Sequence, residues 1–555
     1  MKVLVEGHSY DAALVRDICR DFETVENERI KVTKIGYYFN SAINDCVLCL
    51  PKIVCDASGA TVFGGLSPEN LIDAFSSENQ LSEEQTEFIR SFSLWTYRAI
   101  SAYARLNPDS DIVTKSGATE SRGEPDAAEG TLLDVILDII RFFNANRDYF
   151  IYIIRNLHSG YDRINWQKTI QTKAPVYQDG QPYYLEVINR RKQIDFDEEL
   201  MIIFHSILHY ISSELGLDVR TECCYEPITG AQFEAYLDGY GLTRLNAIKY
   251  KYFSDKDIRL WKLCRAFFLK TAGIQEKENI CDYILVGNFE IVFEAMMDAL
   301  ISDADLPELL KKQKDGKIVD HLFRYRSPID DREIYYIGDS KYYSIGSTVG
   351  DNSIYKQFTY AKNIIQYHFA RSTSRKLDEM GYRDPLTEGY NFTPNFFISA
   401  FIPDTFSFGN SGLTLRDFSG NGAEEDKHRI FHFENRLFDR DTLWLFHFDI
   451  NLLYVMSLYA SSDPTEQTMF KESFKDKVFQ ATLRLLNTKY IFFTIKPLTL
   501  KTKEFVQHYF YLLHGKIYSK PDGTLMLALE KEHLENEALL EKLRKVADIS
   551  HDVSE

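Results

Sequence analysis

The chain has 555 residues, 45% apolar and 14% aromatic, which is too long for one hydrophobic core and too apolar for a disordered protein, so two or three domains are expected. A formal charge of −18 argues against a protein that coats nucleic acid over a broad basic surface, but leaves room for a local cleft with a few Lys and Arg. No apolar stretch is long enough to span a bilayer, MKVLVEGHSYD has no apolar targeting segment, and eight scattered cysteines lack a secreted disulfide pattern; a cytoplasmic protein with reduced thiols and no membrane association is expected.

In chain order, residues 1 to about 78 read as mostly β. GYYFNSAINDCVLCLPKIV mixes β-formers with turn residues, and Pro51, Gly64 and Gly65 punctuate it. Cys46 and Cys49 form a CxxC inside an apolar run, with no second CxxC at zinc-ribbon spacing, so buried thiols are expected. Residues 82–107 carry apolar side chains at helical spacing after a Ser cap. A polar linker over 116–130 closes an N-terminal mixed region, 1–115, and a strongly apolar helix follows over 131–146. The middle region, 131–272, is helical and mixed, with further helices expected near 197–215 and 256–271. His205 and His209 there have the i,i+4 spacing of HExxH, but the Glu is missing and Ser206 cannot serve as a base, so a partly buried helix face is the simpler reading.

From 282 to 555 the pattern becomes α/β, giving a mixed α+β chain overall. A helix (NFEIVFEAMMDALISD), a strand (KIVDHLF), a turn (RSPIDD), a strand (REIYYIGDSKYYS), a helix (YKQFTYAKNIIQYHFA) and a strand (NFFISAFIP) follow one another. The polar run 419–429 reads as a loop, His447 and Asp449 share one face of a strand, and a charged helix is expected over 530–546.

IYYIGDSKYY carries the chemistry. Period-two geometry places Asp339 and Lys341 on one face with Ser340 opposite. If RSPIDD is a hairpin turn, Asp320 arrives beside them from the neighbouring strand. Converging carboxylates need a compensating cation, and hard oxygen ligands suit Mg²⁺ or Mn²⁺. A metal with a nearby Lys can polarise a phosphate and activate water. A D-x-K at a strand end is otherwise a surface ion pair; the helix–Asp–turn–DxK–helix order favours the catalytic reading.

The arrangement resembles the PD-(D/E)XK nuclease superfamily, with Asp320 as the first acid and Asp339-Ser340-Lys341 as the second motif. The resemblance implies that Asp320, Asp339, the Ser340 carbonyl and Glu294 hold the metal, that Lys341 assists water or the transition state, and that Gln357 contributes from the following helix. Asp298 is a second acid on the Glu294 helix. Related enzymes often show Gln-x-x-x-Tyr, whereas here the pair is Gln357-x-x-Tyr360, three apart but still on one helix face.

Gly36, Tyr37, Tyr38, Asn40, Asp45, Leu50, Pro51 and Lys52, with INWQKTIQTKAPVY and FDRDTLWLFHFDINLLYV, resemble the LlaJI restriction endonuclease family, which is similar to McrC. This implies a nuclease subunit that cuts double-stranded DNA while a McrB-like AAA+ NTPase recognises it, with the N-terminal region docking on that partner through groups such as Lys52 or the aromatics at 37–39. The absence of a G-x-x-x-x-G-K-[ST] motif agrees with a borrowed NTPase. The rival reading is a catalytically vestigial assembly subunit that stimulates the partner; a third is an RNA or single-strand nuclease.

Overall fold

The computed structural model describes the chain except residues 20–22, 27–28, 41–42, 44, 57, 76–80, 116–130, 158–162, 196–197, 215–224, 276–281, 314, 331, 344–348, 372–381, 392, 404–407, 417–429, 432–433, 462, 521 and 552–555. The expected loops at 116–130 and 419–429, with Cys223, Cys224 and Cys281, lie outside the described residues. The class is mixed α/β, as composition and periodicity imply. Two compact units form, one from Met1, Tyr38–Val47 and Thr114–Ile284, the other from Lys2–Tyr37, Leu48–Val113 and Leu285–Glu555.

In the first unit, the apolar helix spans Leu132–Ala145 and starts on a capping box: the Thr131 hydroxyl accepts the Asp134 N–H, and the Asp134 carboxylate accepts the Thr131 N–H. Its buried face includes Ile136, Ile139 and Phe142 and packs against the helices Asp255–Gln275 and Glu199–Glu214. A three-stranded antiparallel sheet has Asn189–Ile194 between Tyr152–Leu157 and Arg163–Ile164. A separate hairpin pairs Val176–Gln178 with Gln181–Tyr183 across Asp179 and Gly180, whose φ values of 52° and 77° are those a two-residue hairpin turn requires. His205 stacks on Tyr225 at 5.2 Å, and burial pushes its imidazole down to about 4, the state of a neutral core histidine. The bland reading of His205 holds.

The β-rich N-terminal stretch is observed as strands from Lys2–Val5 to Asp45–Leu50. Cys46 and Cys49 are buried, and so are Tyr37, Tyr38 and Phe39 on their strand. In the second unit, the helix Glu83–Leu106 begins on a capping box between Ser82 and Gln85.

The principal sheet of this unit is built from β1 (His321–Arg326), β2 (Glu333–Lys341), β3 (Thr393–Phe401) and β4 (Leu443–Asn451), in that order. β1 and β2 are antiparallel, whereas β2–β3 and β3–β4 are parallel. Strands buried on both faces read as continuous apolar runs, which describes NFFISAF and LWLFHF. α1 (Phe289–Ile301) packs on β1 and β2, and α2 (Asp351–Arg371) packs on β2, β3 and β4. Phe323 and Tyr336 stack at 5.2 Å across the β1–β2 ladder, with Phe396 and Phe474 against them. His447 is bonded to Ser399 at 2.7 Å and Asp449 to Arg416, a hydrogen-bonded strand face.

A four-stranded antiparallel sheet, with Ile517–Ser519, Leu525–Glu530, Tyr490–Pro497 and Ala547–His551 in that order, completes the unit. Here the expected helix over 530–546 is corrected. Glu530 ends a strand, Glu532 adopts φ 65°, and helix exists only over Asn536–Arg544. Leu527 and Leu529 claim the preceding segment for the sheet by burial, so tertiary packing outweighs the helical propensity of EKEHLENE.

Candidate functional site

β2 is buried from Ile334 to its end and delivers Asp339, Ser340 and Lys341 in alternation. The Asp339 carboxylate forms an ion pair with the Lys341 ammonium, as the period-two reading requires. Lys341 Nζ also lies 5.3 Å from the centre of the Phe397 ring, on the parallel neighbour β3. On the other side of the strand, Ser340 Oγ meets His321 Nε2 at 2.6 Å.

Asp320 sits immediately before β1, which begins at His321, rather than within a strand as KIVDHLF suggested. The segment before it folds back on itself: Gln313 N–H donates to Lys317 O and Val319 N–H to Lys311 O. These turn bonds end the extended run one residue late for Asp320, yet its position remains the expected one. Its Oδ2 accepts the Ser340 N–H at 3.3 Å, which ties the first acid to the second motif.

α1 brings Glu294 toward the same group. Burial raises the Glu294 carboxyl above its ordinary value, the charge of Asp339 adds to this, and Lys356 and Lys341 oppose it. Asp320 is raised well above the carboxylate range by burial first, and then by Asp339 and Glu294. Three acids that penalise one another's charge, with two ammonium groups beside them, form the electrostatic signature of the site. Asp298, the alternative acid on α1, is engaged elsewhere. It pairs with Lys311 and lies 3.8 Å from His321 Nδ1, and His321 and Lys311 outweigh its burial to hold its carboxyl down at about 2.

α2 supplies the residue that sequence reasoning missed. Lys356 Nζ stands 3.5 Å from Asp339 Oδ1, and Asp339, Asp320 and a hydrogen bond to Tyr360 raise its affinity for a proton despite burial. Its signal was present in the sequence: Lys356 and Tyr360 are i,i+4 on the helix that follows the DxK strand. The Tyr360 hydroxyl donates to the Ile318 carbonyl, linking α2 to the turn in front of Asp320. Gln357 is fully buried, and neither its amide nitrogen nor its amide oxygen has a hydrogen-bond partner among the described residues.

Lys52 lies beside the residue that follows Lys341. Its ammonium lies 4.8 Å from the centre of the Tyr342 ring, and its backbone N–H donates to Glu6 Oε2 at 3.1 Å. The Tyr342 hydroxyl donates to that same carboxylate oxygen at 2.7 Å. The residue after Lys341 is thereby fastened to two N-terminal segments of the same unit.

Among the described residues, no three His, Cys, Asp or Glu side chains are gathered closely enough to grip a metal outright. The donor chemistry nonetheless fits a hard dication: Asp320, Asp339 and Glu294 offer only oxygen, and their mutual repulsion calls for positive charge. In the present arrangement Lys341 and Lys356 supply it. Among the described residues no helix is long and apolar enough to cross a membrane.

Residues 126–380 match the LlaJI restriction endonuclease family, a span that contains Glu294, Asp320, Asp339, Lys341, Lys356 and Gln357. No curated protein matches the sequence. A solved assembly, the refined half-complex from a tetradecameric assembly of Thermococcus gammatolerans McrB AAA+ hexamers with bound McrC, aligns at 9% identity over 85% of this chain and 99% of that chain, with a TM-score of 0.28.

Proposed function

We propose that this chain, with residues 126–380 matched to the LlaJI restriction endonuclease family, is the Mg²⁺-dependent DNA-cutting subunit of a bacterial restriction system and works with a McrB-like AAA+ NTPase. The observation that carries the reading is the convergence of Asp320, Asp339 and Lys341 at the end of β2, with Glu294 and Lys356 beside them. This resembles the PD-(D/E)XK pattern in residue type and in order along the chain, which supports the reading.

Asp320, Asp339, the Ser340 carbonyl and Glu294 would hold Mg²⁺, or Mn²⁺ in its place. When bound, such an ion polarises the scissile phosphate and lowers the pKa of water. The remaining work belongs to the chain. Lys341, set between Asp339 and the Phe397 ring, orients the attacking water through its ammonium hydrogens and stabilises negative charge growing on the phosphate. Lys356 offsets carboxylate charge that would otherwise repel the DNA backbone. His321 holds the Ser340 hydroxyl from the far side of the strand and fixes the peptide that lies between the two catalytic side chains. Gln357 offers its unbonded amide to the nucleophile or phosphate. The products are a 5′-phosphate and a 3′-hydroxyl end.

Plasmid cleavage by the chain with its AAA+ partner, nucleotide and Mg²⁺ tests the reading. Asp339→Ala and Lys341→Ala should each lower cutting by roughly 10²-fold or more, on the scale of losing one charge-stabilising group. Full cutting by either variant would refute the assignment. Partner-stimulated nucleotide hydrolysis without DNA breaks by the unmodified chain would instead favour a vestigial assembly subunit.

A further inference from the structure

The stretch from Arg244 to Arg265 in the first unit departs from the composition of the chain around it. It carries seven Lys or Arg against two Asp, a local charge of +5 in a protein of net −18. Within it runs Lys249-Tyr250-Lys251-Tyr252-Phe253, a short helical turn over Lys249–Lys251 that leads into the helix Asp255–Gln275. Tyr250 is 82% exposed and Phe253 is 88% exposed, while Lys249, Lys251, Lys256 and Arg259 around them are exposed as well.

Local packing explains why the two rings stay outside. Tyr252, between them, takes the core position: it is buried and its hydroxyl bonds to Glu198. Trp261 is pinned below by its indole N–H donating to Leu245 O at 2.8 Å. With those anchors set, the backbone holds Tyr250 and Phe253 outward. Of the two acids in the stretch, Asp257 is engaged by the Tyr149 hydroxyl. Rings left in water between cations match the needs of unpaired nucleotides, because bases stack on aromatic faces while Lys and Arg meet the phosphates. Protein–protein interfaces are depleted in lysine, whereas three of the four cations around these rings are lysines.

We propose that Tyr250 and Phe253, flanked by Lys249, Lys251, Lys256 and Arg259, form a binding surface for unpaired DNA, separate from the residues that cut. The proposal takes from the nuclease reading only that the nucleic acid is DNA.

The test is fluorescence anisotropy of a labelled oligothymidylate, and of a fully paired duplex of equal length, with the full chain in EDTA, where no cutting can occur. Tyr250→Ala combined with Phe253→Ala should weaken oligothymidylate binding by roughly tenfold or more, in line with lost base stacking, and should weaken duplex binding less. Lys249→Gln combined with Lys251→Gln should flatten the log–log salt dependence by about 1.4, at ~0.7 per phosphate contact on single strands. Tyr250→Phe should bind as the unmodified chain does. Because the substituted side chains are exposed, unchanged circular dichroism is expected for all of these variants. Unchanged affinity and salt slope would overturn the proposal, as would an equal loss on duplex, or a loss confined to binding of the AAA+ partner. Because the assay reads binding in EDTA and never cutting, failure of the cutting site and failure of this surface give different results.

Discussion

At Gln357 an amide is buried with neither of its polar atoms bonded to a described residue, an arrangement that costs about 1–3 kcal/mol for each unmet group. Such a cost persists where the group is kept for another purpose. Gln357→Leu should therefore raise resistance to chemical denaturation by about 1 kcal/mol or more and lower DNA cutting. A variant that is both less stable and fully active would show that the amide serves the fold. Asp320 gives a second test at this scale. Burial, Asp339 and Glu294 raise its carboxyl to about 8, so the folded chain retains a proton that the unfolded chain sheds. The stability this contributes is complete below the ordinary carboxylate value of about 3.9 and is lost as pH rises toward about 8. Denaturation in EDTA across that interval should show the decline, and Asp320→Asn should flatten it. The Asp339–Lys341 pairing was legible from strand periodicity alone. Lys356 was marked only by its i,i+4 spacing to Tyr360; that it reaches Asp339 depends on how α2 lies across β2, which no local pattern encodes.

Strand β2 shows what an element must give up to present a site. A methyl group on Gly338 would lie 2.4 Å from the Phe396 ring and 3.1 Å from His321 Cβ, so the position next to Asp339 is open only to a residue without a side chain. Gly338→Ala should destabilise the second unit by about 1–3 kcal/mol through overpacking, read by denaturant titration, and should reduce cutting because the β2–β3 ladder carries Asp339 and Lys341. Wild-type stability and activity would mean that Phe396 moves aside freely. Elements with strong local signals were readable in advance: the Ser82 cap, the apolar helix from residue 131, the α1 and α2 helices, and the β1–β2 hairpin all sit where composition puts them. The misreadings differ in cause. KIVDHLF holds a β-like pattern that turn hydrogen bonds interrupt before Asp320, and EKEHLENE holds a helical composition that the C-terminal sheet overrides. In the first, local turn bonds decide against the β pattern; in the second, a bond to distant Lys489 and the buried strand before it decide against helical preference.

For the molecule as a whole, charge sets the terms of its work. A surface of net −18 repels DNA except where cations gather, as they do at the Lys341–Lys356 site of one unit and along the 244–265 stretch of the other. Plasmid cleavage by the chain alone at physiological salt should therefore be much slower than with its AAA+ partner and nucleotide, and equal rates would show that the chain captures DNA unaided. The fastening of Tyr342 to Glu6 and Lys52 has its own consequence at this scale. Because the residue next to Lys341 leans on the segments that carry Glu6 and Lys52, removing those segments should not leave a free-standing cutting fragment. It would strand a buried phenol and its neighbours at the end of β2. Exchange of N-terminal segments between relatives meets the same barrier, so the two ends of this interaction are expected to be inherited together rather than recombined.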